Sequence, residues 1–159
     1  MRAILVVVYL GVMVGLLYFL KWFIPTFGDL TNKYFGVPVA VITCGSGGTS
    51  VREWQPHGTT FTKPPTREGN TLRNDDGTWM SNGRLYNQLV SRMKELGTNG
   101  LRAVLWHQGE SDANQADPNR TLTEKEYRTM LENLIVTSRN DIGWQAPWMV
   151  AQVSYHSPE

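Results

Sequence analysis

The sequence predicts an α/β fold in which helices flank a parallel sheet. Two apolar runs have the composition of buried strands, and each ends in small or polar residues. Residues 37–42 lead into the glycine-rich stretch 44–50, and residues 101–106 lead into the polar stretch 107–113. Helical periodicity alternates with these strands. Because loops at the carboxyl ends of parallel strands form the ligand-binding edge of such sheets, these two stretches are the predicted active site.

The chain starts with an uninterrupted apolar run over residues 3–20, which Lys21 closes. The run has roughly the length that crosses a bilayer as a helix, so residues 1–25 are predicted to be a hydrophobic membrane segment or signal anchor. No small-x-small cleavage site follows the run, which favours an anchor over a cleaved signal. The alternative is a strand and helix of a soluble core, since the three valines at 6–8 suit a strand.

The location of the protein follows from how this segment is interpreted. An anchor predicts membrane association through residues 3–24 and a membrane-anchored or exported protein. If the N-terminal segment is instead a mispredicted start joined to a real globular domain, the protein is expected to be cytoplasmic. The orientation stays open, because one basic residue lies on each side of the run.

The next two segments are a helix and a long loop. Thr26 is predicted to cap a short helix that runs to about Tyr34, before Gly36 and the strand at 37–42. Residues 55–80 are rich in Gly, Pro, Thr, Asn and Asp, and are predicted to be a loop. Either the loop lines a sugar pocket or it is an ordinary solvated connection.

Two further helices and a last strand complete the predicted fold. Apolar residues recur at helical spacing over residues 83–96, with Gly97 as terminator. A capping-box pattern at 123–126 opens the next helix, which is predicted to end near Asn140. The final strand is predicted over residues 147–156.

Two motifs resemble the sialic acid-specific acetylesterase and acetylxylan esterase group of SGNH/GDSL hydrolases. They are GGTS at residues 47–50, followed by Trp54, and WHQGESD at residues 106–112. The resemblance covers roughly residues 26–159. It implies an SGNH-type, flavodoxin-like parallel sheet with flanking helices, and a serine esterase that removes acetyl groups from sialic acid, xylan or related sugars. It implies an acetylated carbohydrate substrate and no cofactor.

The sequence also departs from that family. Its members carry a nucleophilic serine in a Gly-Gln-Ser-Asn block and a histidine in an Asp-x-x-His block, and neither block is present here. Ser111 echoes a nucleophile elbow, but residues 112–121 read as a loop where an elbow needs a helix. The expectation is therefore a partial SGNH-type domain over residues 26–159 that has no activity of its own.

The resemblance assigns three residues to catalysis. Gly48 would supply a backbone N–H and Gln108 a side-chain amide to the oxyanion hole. The alternatives are a simple turn glycine and a side chain that ties down a neighbouring loop. Glu110 would either orient a histidine or brace its own loop by accepting backbone hydrogen bonds.

Four more residues are predicted to bind substrate: Ser50, Trp54, Trp106 and His107. Ser50, if it follows the family, positions the loop and does not attack. His107 has the chemistry of a base, but strand alternation directs it away from Gln108, which favours a packed supporting position.

Composition excludes several function classes. A formal net charge of +1, with Lys and Arg dispersed, argues against a nucleic-acid partner. Three histidines and one cysteine show no metal-ligand spacing, so no metal is predicted. Cys44 cannot form an internal disulfide and is predicted to be a buried structural thiol. The rival to an esterase is a membrane-anchored, non-catalytic carbohydrate-binding or interaction module.

Overall fold

The computed structural model describes residues 24–95, 97–113 and 117–152, and the main chain of residues 4–10. In chain order the elements are β1 (Ile4–Leu10), α1 (Ile24–Phe35), β2 (Val39–Thr43), β3 (Thr60–Phe61), β4 (Thr71–Arg73), β5 (Trp79–Ser81), α2 (Arg84–Lys94), β6 (Leu101–His107), α3 (Glu110–Ala113), α4 (Glu124–Ile142) and β7 (Trp148–Val150). Short 3₁₀ turns cover Val51–Trp54, Glu68–Asn70 and Pro118–Arg120.

The main sheet has four parallel strands in the order β2-β1-β6-β7. Taken alone, these strands follow the order with which flavodoxin-like sheets begin. The chain passes from β1 to β2 on one side and later returns to β6 on the other. The gap between β1 and β6 is therefore the point at which the strand order reverses, and ligands bind outside the carboxyl ends of the strands there.

The apolar N-terminal run was predicted to be a helix, and over Ile4–Leu10 this prediction is wrong. These residues form the strand β1, which pairs with β2 and β6 on its two sides. Central strands of parallel sheets are covered on both faces, so their sequences are continuous apolar runs like those of membrane helices. The part of the predicted helix at 11–23 lies outside the described residues. In the described part of the chain, no helix is long and apolar enough to cross a membrane.

The long helices and the β6 strand lie where the sequence predicts them. Helix α4 begins with the predicted capping box, in which Thr123 Oγ1 accepts from the Glu126 N–H and Glu126 Oε2 accepts from the Thr123 N–H. It ends at Gly143, whose φ of 74° closes the helix in the left-handed conformation. Helix α1 begins at Ile24, two residues before the predicted cap.

Residues 55–80 were predicted to be a loop, but part of this segment is a second sheet. Strands β3 and β4 both pair antiparallel with β5, in the order β3-β5-β4. The strands are two or three residues long, too short for hydrophobic alternation to be visible in the sequence. The last strand of the main sheet is likewise shorter than predicted, since β7 covers Trp148–Val150 and residues 153–156 lie outside the described part.

The core lies between the main sheet and helices α2 and α4. Leu89 of α2, Leu134 of α4 and Val104 of β6 are all fully buried. The Trp54 and Trp106 rings meet edge to face with centroids 5.7 Å apart, and the Trp106 and Trp148 centroids lie 5.6 Å apart. This core carries the loops at the carboxyl edge of the sheet.

Candidate active site

Two loops meet at the carboxyl edge of the parallel sheet, one after β2 and one after β6. The Gln108 side-chain amide Nε2 donates to the Thr49 carbonyl oxygen at 3.1 Å. Asp112 Oδ2 accepts from the Val51 backbone N–H at 2.9 Å. These two hydrogen bonds connect the glycine-rich stretch to the polar stretch, so the two predicted halves of the site lie together.

The turn after β2 requires glycine at position 48. Gly48 has a φ of 68°, which glycine adopts without steric cost. Thr49 holds the turn, because its Oγ1 donates to the Ser46 carbonyl at 2.6 Å and accepts from Trp54 Nε1 at 2.9 Å. The backbone around Gly48 is therefore fixed in position before any ligand arrives.

The Gln108 side chain is buried and fully engaged. Its Nε2 donates to Asp112 Oδ2 at 2.5 Å as well as to Thr49. The Tyr127 hydroxyl donates to the Gln108 carbonyl at 2.6 Å and lies 3.2 Å from Gln108 Oε1. Both amide hydrogens thus have acceptors within the two loops, which is the arrangement of a side chain that ties a neighbouring loop down.

Asp112 is a buried carboxyl group between the two loops. Its exposed fraction is 1 %. Burial raises the pKa of Asp112 to about 6, against the lowering effect of its hydrogen bonds from Gln108 and Val51 and of the Arg52 charge. Arg52 Nη2 lies 3.6 Å from Asp112 Oδ1. Asp112 therefore holds the loops together while carrying a proton more readily than an ordinary aspartate.

His107 and Glu110 form an accessible pair at the end of β6. His107 Nδ1 lies 3.7 Å from Glu110 Oε1, and the side chains are 46 % and 22 % exposed. As strand alternation predicts, His107 is separated from the buried Gln108. The His107 imidazole is accessible, however, so the packed position predicted for it is wrong. Glu110 Oε2 also accepts from the Gly109 N–H at 3.1 Å. The Glu110 carboxylate thus both braces its loop and lies beside an imidazole.

Three of the residues predicted to bind substrate lie in the protein interior. Ser50 and Trp54 have no exposed surface, and Trp106 is 1 % exposed. Ser50 Oγ contacts Glu53 and Arg52, and the two tryptophans pack on each other. Their predicted role in binding a sugar does not fit this burial, and their contacts are those of residues that support the loops.

Glu53 organises the glycine-rich side of the site, and the sequence reasoning missed it. Its Oε1 accepts from the Ser50, Thr66 and Arg67 N–H groups at 3.0–3.1 Å, and its Oε2 accepts from Asn70 Nδ2 at 2.8 Å. One buried carboxylate therefore joins the Ser50 turn to residues 66–70. The Ser50-x-x-Glu53 spacing, which is that of a capping box, was the available signal.

Tyr127 of α4 is a further residue of the site that the motifs do not identify. Its hydroxyl accepts from Trp106 Nε1 at 3.2 Å and donates to the Gln108 carbonyl. Burial raises the pKa of Tyr127 well above its usual range, so the hydroxyl stays protonated. No periodicity distinguishes such a hydroxyl from an ordinary core tyrosine.

A cavity of about 440 Å³ adjoins the β6 loop. Gln108, Gly109 and Asp112 line it together with Tyr127 from α4 and Val150 from β7. Among the predicted site residues in the described part of the chain, Gln108 alone borders this cavity. Space for a ligand is thus available on the α4 side of the two loops.

Neither a reactive cysteine nor a metal-ligand cluster is present in the described part of the site. Burial raises the pKa of the Cys44 thiol to about 11, so it stays protonated and unreactive at neutral pH. The thiol is 1 % exposed, as expected of a structural cysteine. Across the described residues, no group of three or more His, Cys, Asp and Glu side chains is placed to hold a metal ion.

These features define an α/β protein whose polar loops gather at the ligand-binding edge of a parallel sheet. A family model described as carbohydrate esterase, sialic acid-specific acetylesterase, matches residues 25–159. Since the match covers most of the chain, the protein belongs to this family of carbohydrate esterases, and the resemblance drawn from its motifs is confirmed. Comparisons with curated proteins and with solved structures found no match.

Proposed function

We propose that, although the Gly-Gln-Ser-Asn and Asp-x-x-His blocks of the resembling family are absent from it, this chain hydrolyses O-acetyl esters of a carbohydrate such as sialic acid or xylan at the carboxyl edge of its parallel sheet. The observation that carries the proposal is the hydrogen bond from Gln108 Nε2 to the Thr49 carbonyl, 3.1 Å long. This bond brings the Gly48 turn and the Gln108–Glu110 turn, the two motifs of the family, to one place. Membership in a carbohydrate esterase family supports an acetylated carbohydrate as substrate.

Ester hydrolysis needs donors for the oxygen that becomes negative when a nucleophile attacks the acetyl carbon. In this proposal the Gly48 N–H is one donor, and its fixed turn keeps the cost of reorganisation small. Gln108 Nε2 is the second donor. It reaches the oxyanion by giving up its bond to the Thr49 carbonyl while it keeps the bond to Asp112.

The proposed route is that of a serine acyl-enzyme, without a cofactor. A serine oxygen bonds to the acetyl carbon as its proton passes to a base, and the sugar oxygen leaves with that proton. Water then attacks the acetyl carbon in the same way, which releases acetate and restores the serine hydroxyl. Glu110 has two proposed parts in this route. It orients an imidazole, for which His107 is the nearest described partner at 3.7 Å, and it fixes the Gly109 N–H.

Acetate release from acetylated sugars by the purified 159-residue chain tests the proposal. Replacement of Gln108 by alanine removes one oxyanion donor and is expected to lower kcat by about 10²–10³. Gln88→Ala, at an exposed position of α2, is the matched control and leaves kcat unchanged. A Gln108→Ala variant that is folded and as fast as the parent would refute the assignment of Gln108.

The engagement of both Gln108 amide hydrogens favours a second candidate function. A non-catalytic carbohydrate-binding module uses the same loops as a rigid platform and has no need of a free amide. Sugar binding without acetate release, in both the parent and the Gln108→Ala protein, would support the module and contradict the esterase. Catalytic turnover that depends on Gln108 would exclude the module.

A further inference from the structure

The side-chain amide of Gln108 presents its nitrogen to the Gly48 turn, and only in this orientation can it donate to an oxyanion. Its Nε2 donates to the Thr49 carbonyl at 3.1 Å and to Asp112 Oδ2 at 2.5 Å. Both partners are oxygen atoms, so a half-turn of the amide would set its own oxygen against two acceptors. The proposed oxyanion hole therefore depends on what keeps the nitrogen on this side.

The Tyr127 hydroxyl does not set the orientation of the amide. It lies 3.2 Å from Gln108 Oε1, but its one proton is donated to the Gln108 main-chain carbonyl at 2.6 Å. The hydroxyl oxygen thus offers no donor to the amide oxygen. When an oxyanion takes the place of the Thr49 carbonyl, Asp112 is the one described partner of this side chain that still distinguishes the amide nitrogen from the amide oxygen.

Asp112 is held at both its main chain and its side chain. Its N–H donates to the Gly109 carbonyl at 3.0 Å, and its carbonyl accepts from the Leu122 N–H at 2.9 Å. The carboxyl oxygen that binds Gln108 also accepts from the Val51 N–H at 2.9 Å. The carboxyl group therefore has a fixed position beside the amide, and its burial keeps water from competing for it.

The charge on Asp112 decides how strongly the amide is oriented. A carboxylate has acceptor oxygens only, so it binds the Gln108 nitrogen and repels the Gln108 side-chain oxygen. A protonated carboxyl group has a donor as well, and it can bind the side-chain oxygen of a turned amide. Loss of the charge therefore allows both orientations.

Several titratable groups surround this carboxyl. Arg52 and Glu53, in the turn after β2, act on its charge in opposite directions, and Tyr127 and Glu124 of α4 line the same cavity. Burial outweighs the lowering effects of its hydrogen bonds and of the Arg52 charge, and raises the pKa of Asp112 to about 6. Asp112 therefore exchanges its proton mainly between about pH 5 and 7.

We propose that Asp112 is a positioning residue of the esterase reaction, whose carboxylate keeps the Gln108 amide nitrogen directed at the oxyanion. This inference rests on the proposed function and adds a proton-dependent control of the oxyanion hole. As Asp112 is protonated, a growing fraction of the chains holds the amide turned, with an oxygen where the oxyanion needs a donor. The value of kcat is therefore expected to rise with pH as Asp112 loses its proton.

Asp112→Asn separates the charge from the hydrogen bond. The asparagine oxygen is favoured at the Oδ2 position, because the Val51 N–H and the Gln108 amide both donate there. The variant thus keeps its acceptor at every pH. In an assay of acetate release from xylose tetraacetate at about pH 8, its kcat is expected to stay within about threefold of the parent value, since a neutral acceptor is weaker than a charged one.

The pH dependence gives the decisive comparison. The ratio of the variant kcat to the parent kcat is expected to rise about tenfold from about pH 8 to about pH 5, because a carboxyl group with a pKa of about 6 is then about one-tenth ionised. A histidine base acts in both proteins and cancels in the ratio. Asp75→Asn, at an exposed position between β4 and β5, is the matched control and keeps the parent profile.

A double-mutant cycle tests whether the effect passes through the amide. In the Gln108→Ala background, Asp112→Asn is expected to change neither kcat nor its pH dependence, whereas a purely structural role of Asp112 would lower kcat in both backgrounds. Thermal melting curves at each pH check that every variant is folded.

Nuclear magnetic resonance follows the same amide without turnover. The Gln108 side-chain N–H resonances, assigned by their loss in Gln108→Ala, are expected to shift through about pH 6 in the parent and to stay constant in Asp112→Asn. This measurement reports on the orienting contact whether or not the chain releases acetate.

Two results would overturn the inference. One is a ratio of kcat values that stays constant across this pH range, and the other is a Gln108 amide whose resonances do not respond to pH. Acetate release with either result would leave the esterase proposal intact and remove this one. Amide resonances that titrate, in a chain that releases no acetate, would contradict the esterase proposal and retain Asp112 as the group that orients Gln108.

Discussion

The Asp112 carboxylate accepts a hydrogen bond from the backbone N–H of Val51 at 2.9 Å, across 61 positions of the sequence. The same oxygen accepts from Gln108 Nε2 at 2.5 Å. One buried oxygen atom therefore connects the loop after β2 to the loop after β6. The ionisation of this one group is therefore expected to change the stability of the candidate site.

Replacement of Asp112 by asparagine is expected to flatten the pH dependence of stability. Burial raises the pKa of Asp112 to about 6 from its ordinary value of 3.8, so between these pH values the folded protein holds a proton that the unfolded chain has released. This contribution is fully present below about pH 4 and is lost as the pH rises through about 6. Urea unfolding between pH 4 and 7 measures it.

The parent is expected to lose about 2 kcal/mol more than Asp112→Asn across this range, given about 1.4 kcal/mol per pKa unit. Both proteins contain Glu126, whose low pKa acts in the opposite direction, so its effect cancels in the comparison. Equal slopes in the two proteins would show that Asp112 titrates as an ordinary aspartate.

Tyr127→Phe is expected to destabilise the fold by about 1–3 kcal/mol. The lost hydroxyl leaves the Trp106 indole N–H and the Gln108 carbonyl without their shared partner. Denaturant unfolding gives the free energy. Tyr34→Phe is the control, because that side chain is 82 % exposed and its loss costs less than about 0.5 kcal/mol. Equal effects would mean that the Tyr127 hydroxyl contributes nothing.

Glu53→Gln is expected to loosen residues 66–70 from the Ser50 turn. The amide keeps one acceptor oxygen but sets its own NH₂ group against a neighbouring donor such as Asn70 Nδ2. A loss of about 2 kcal/mol, together with faster proteolysis within residues 66–70, is the expected result. Glu132→Gln, at an exposed position of α4, is the matched control. Unchanged proteolysis would contradict the organising role of Glu53.

Residues 4–10 are expected to show slow amide hydrogen exchange. A central strand donates its N–H groups to both neighbours, and such amides open only with the global unfolding of the domain. Val7→Pro removes a donor from this strand and is expected to prevent folding. Fast exchange over these residues in the folded protein would contradict their place in the sheet.

Several elements follow from sequence alone because their signals are local. The capping box at Thr123 and Glu126 fixes the start of α4, and the apolar run ending at Trp106 marks β6. For β1 the sequence left two interpretations open, a membrane helix and a buried strand. A buried parallel strand and a membrane helix share one composition, and its partners β2 and β6 decide between them.

The candidate site was predicted as two motifs but not as a set of contacts. The sequence places Gly48 and Gln108 in the correct loops, and their connection through Thr49 depends on the tertiary fold. Arg67 lies beside Gly48, and Glu53 accepts main-chain hydrogen bonds from both Arg67 and the Ser50 turn, which are far apart in the sequence signals. The prediction that Trp54 binds substrate does not fit its burial. The sequence could not decide this, since an aromatic residue after a glycine-rich loop suits a sugar pocket and a core equally well.

The contact between Trp54, Trp106 and Trp148 also gives the protein a built-in optical signal. Indole rings with centroids 5.6–5.7 Å apart are close enough for their excited states to couple. Trp54 belongs to the segment after β2, Trp106 to β6 and Trp148 to β7, so the coupled near-ultraviolet circular dichroism band reports the docking of all three. Any ligand or variant that separates the loop from the sheet will change this band without an added dye.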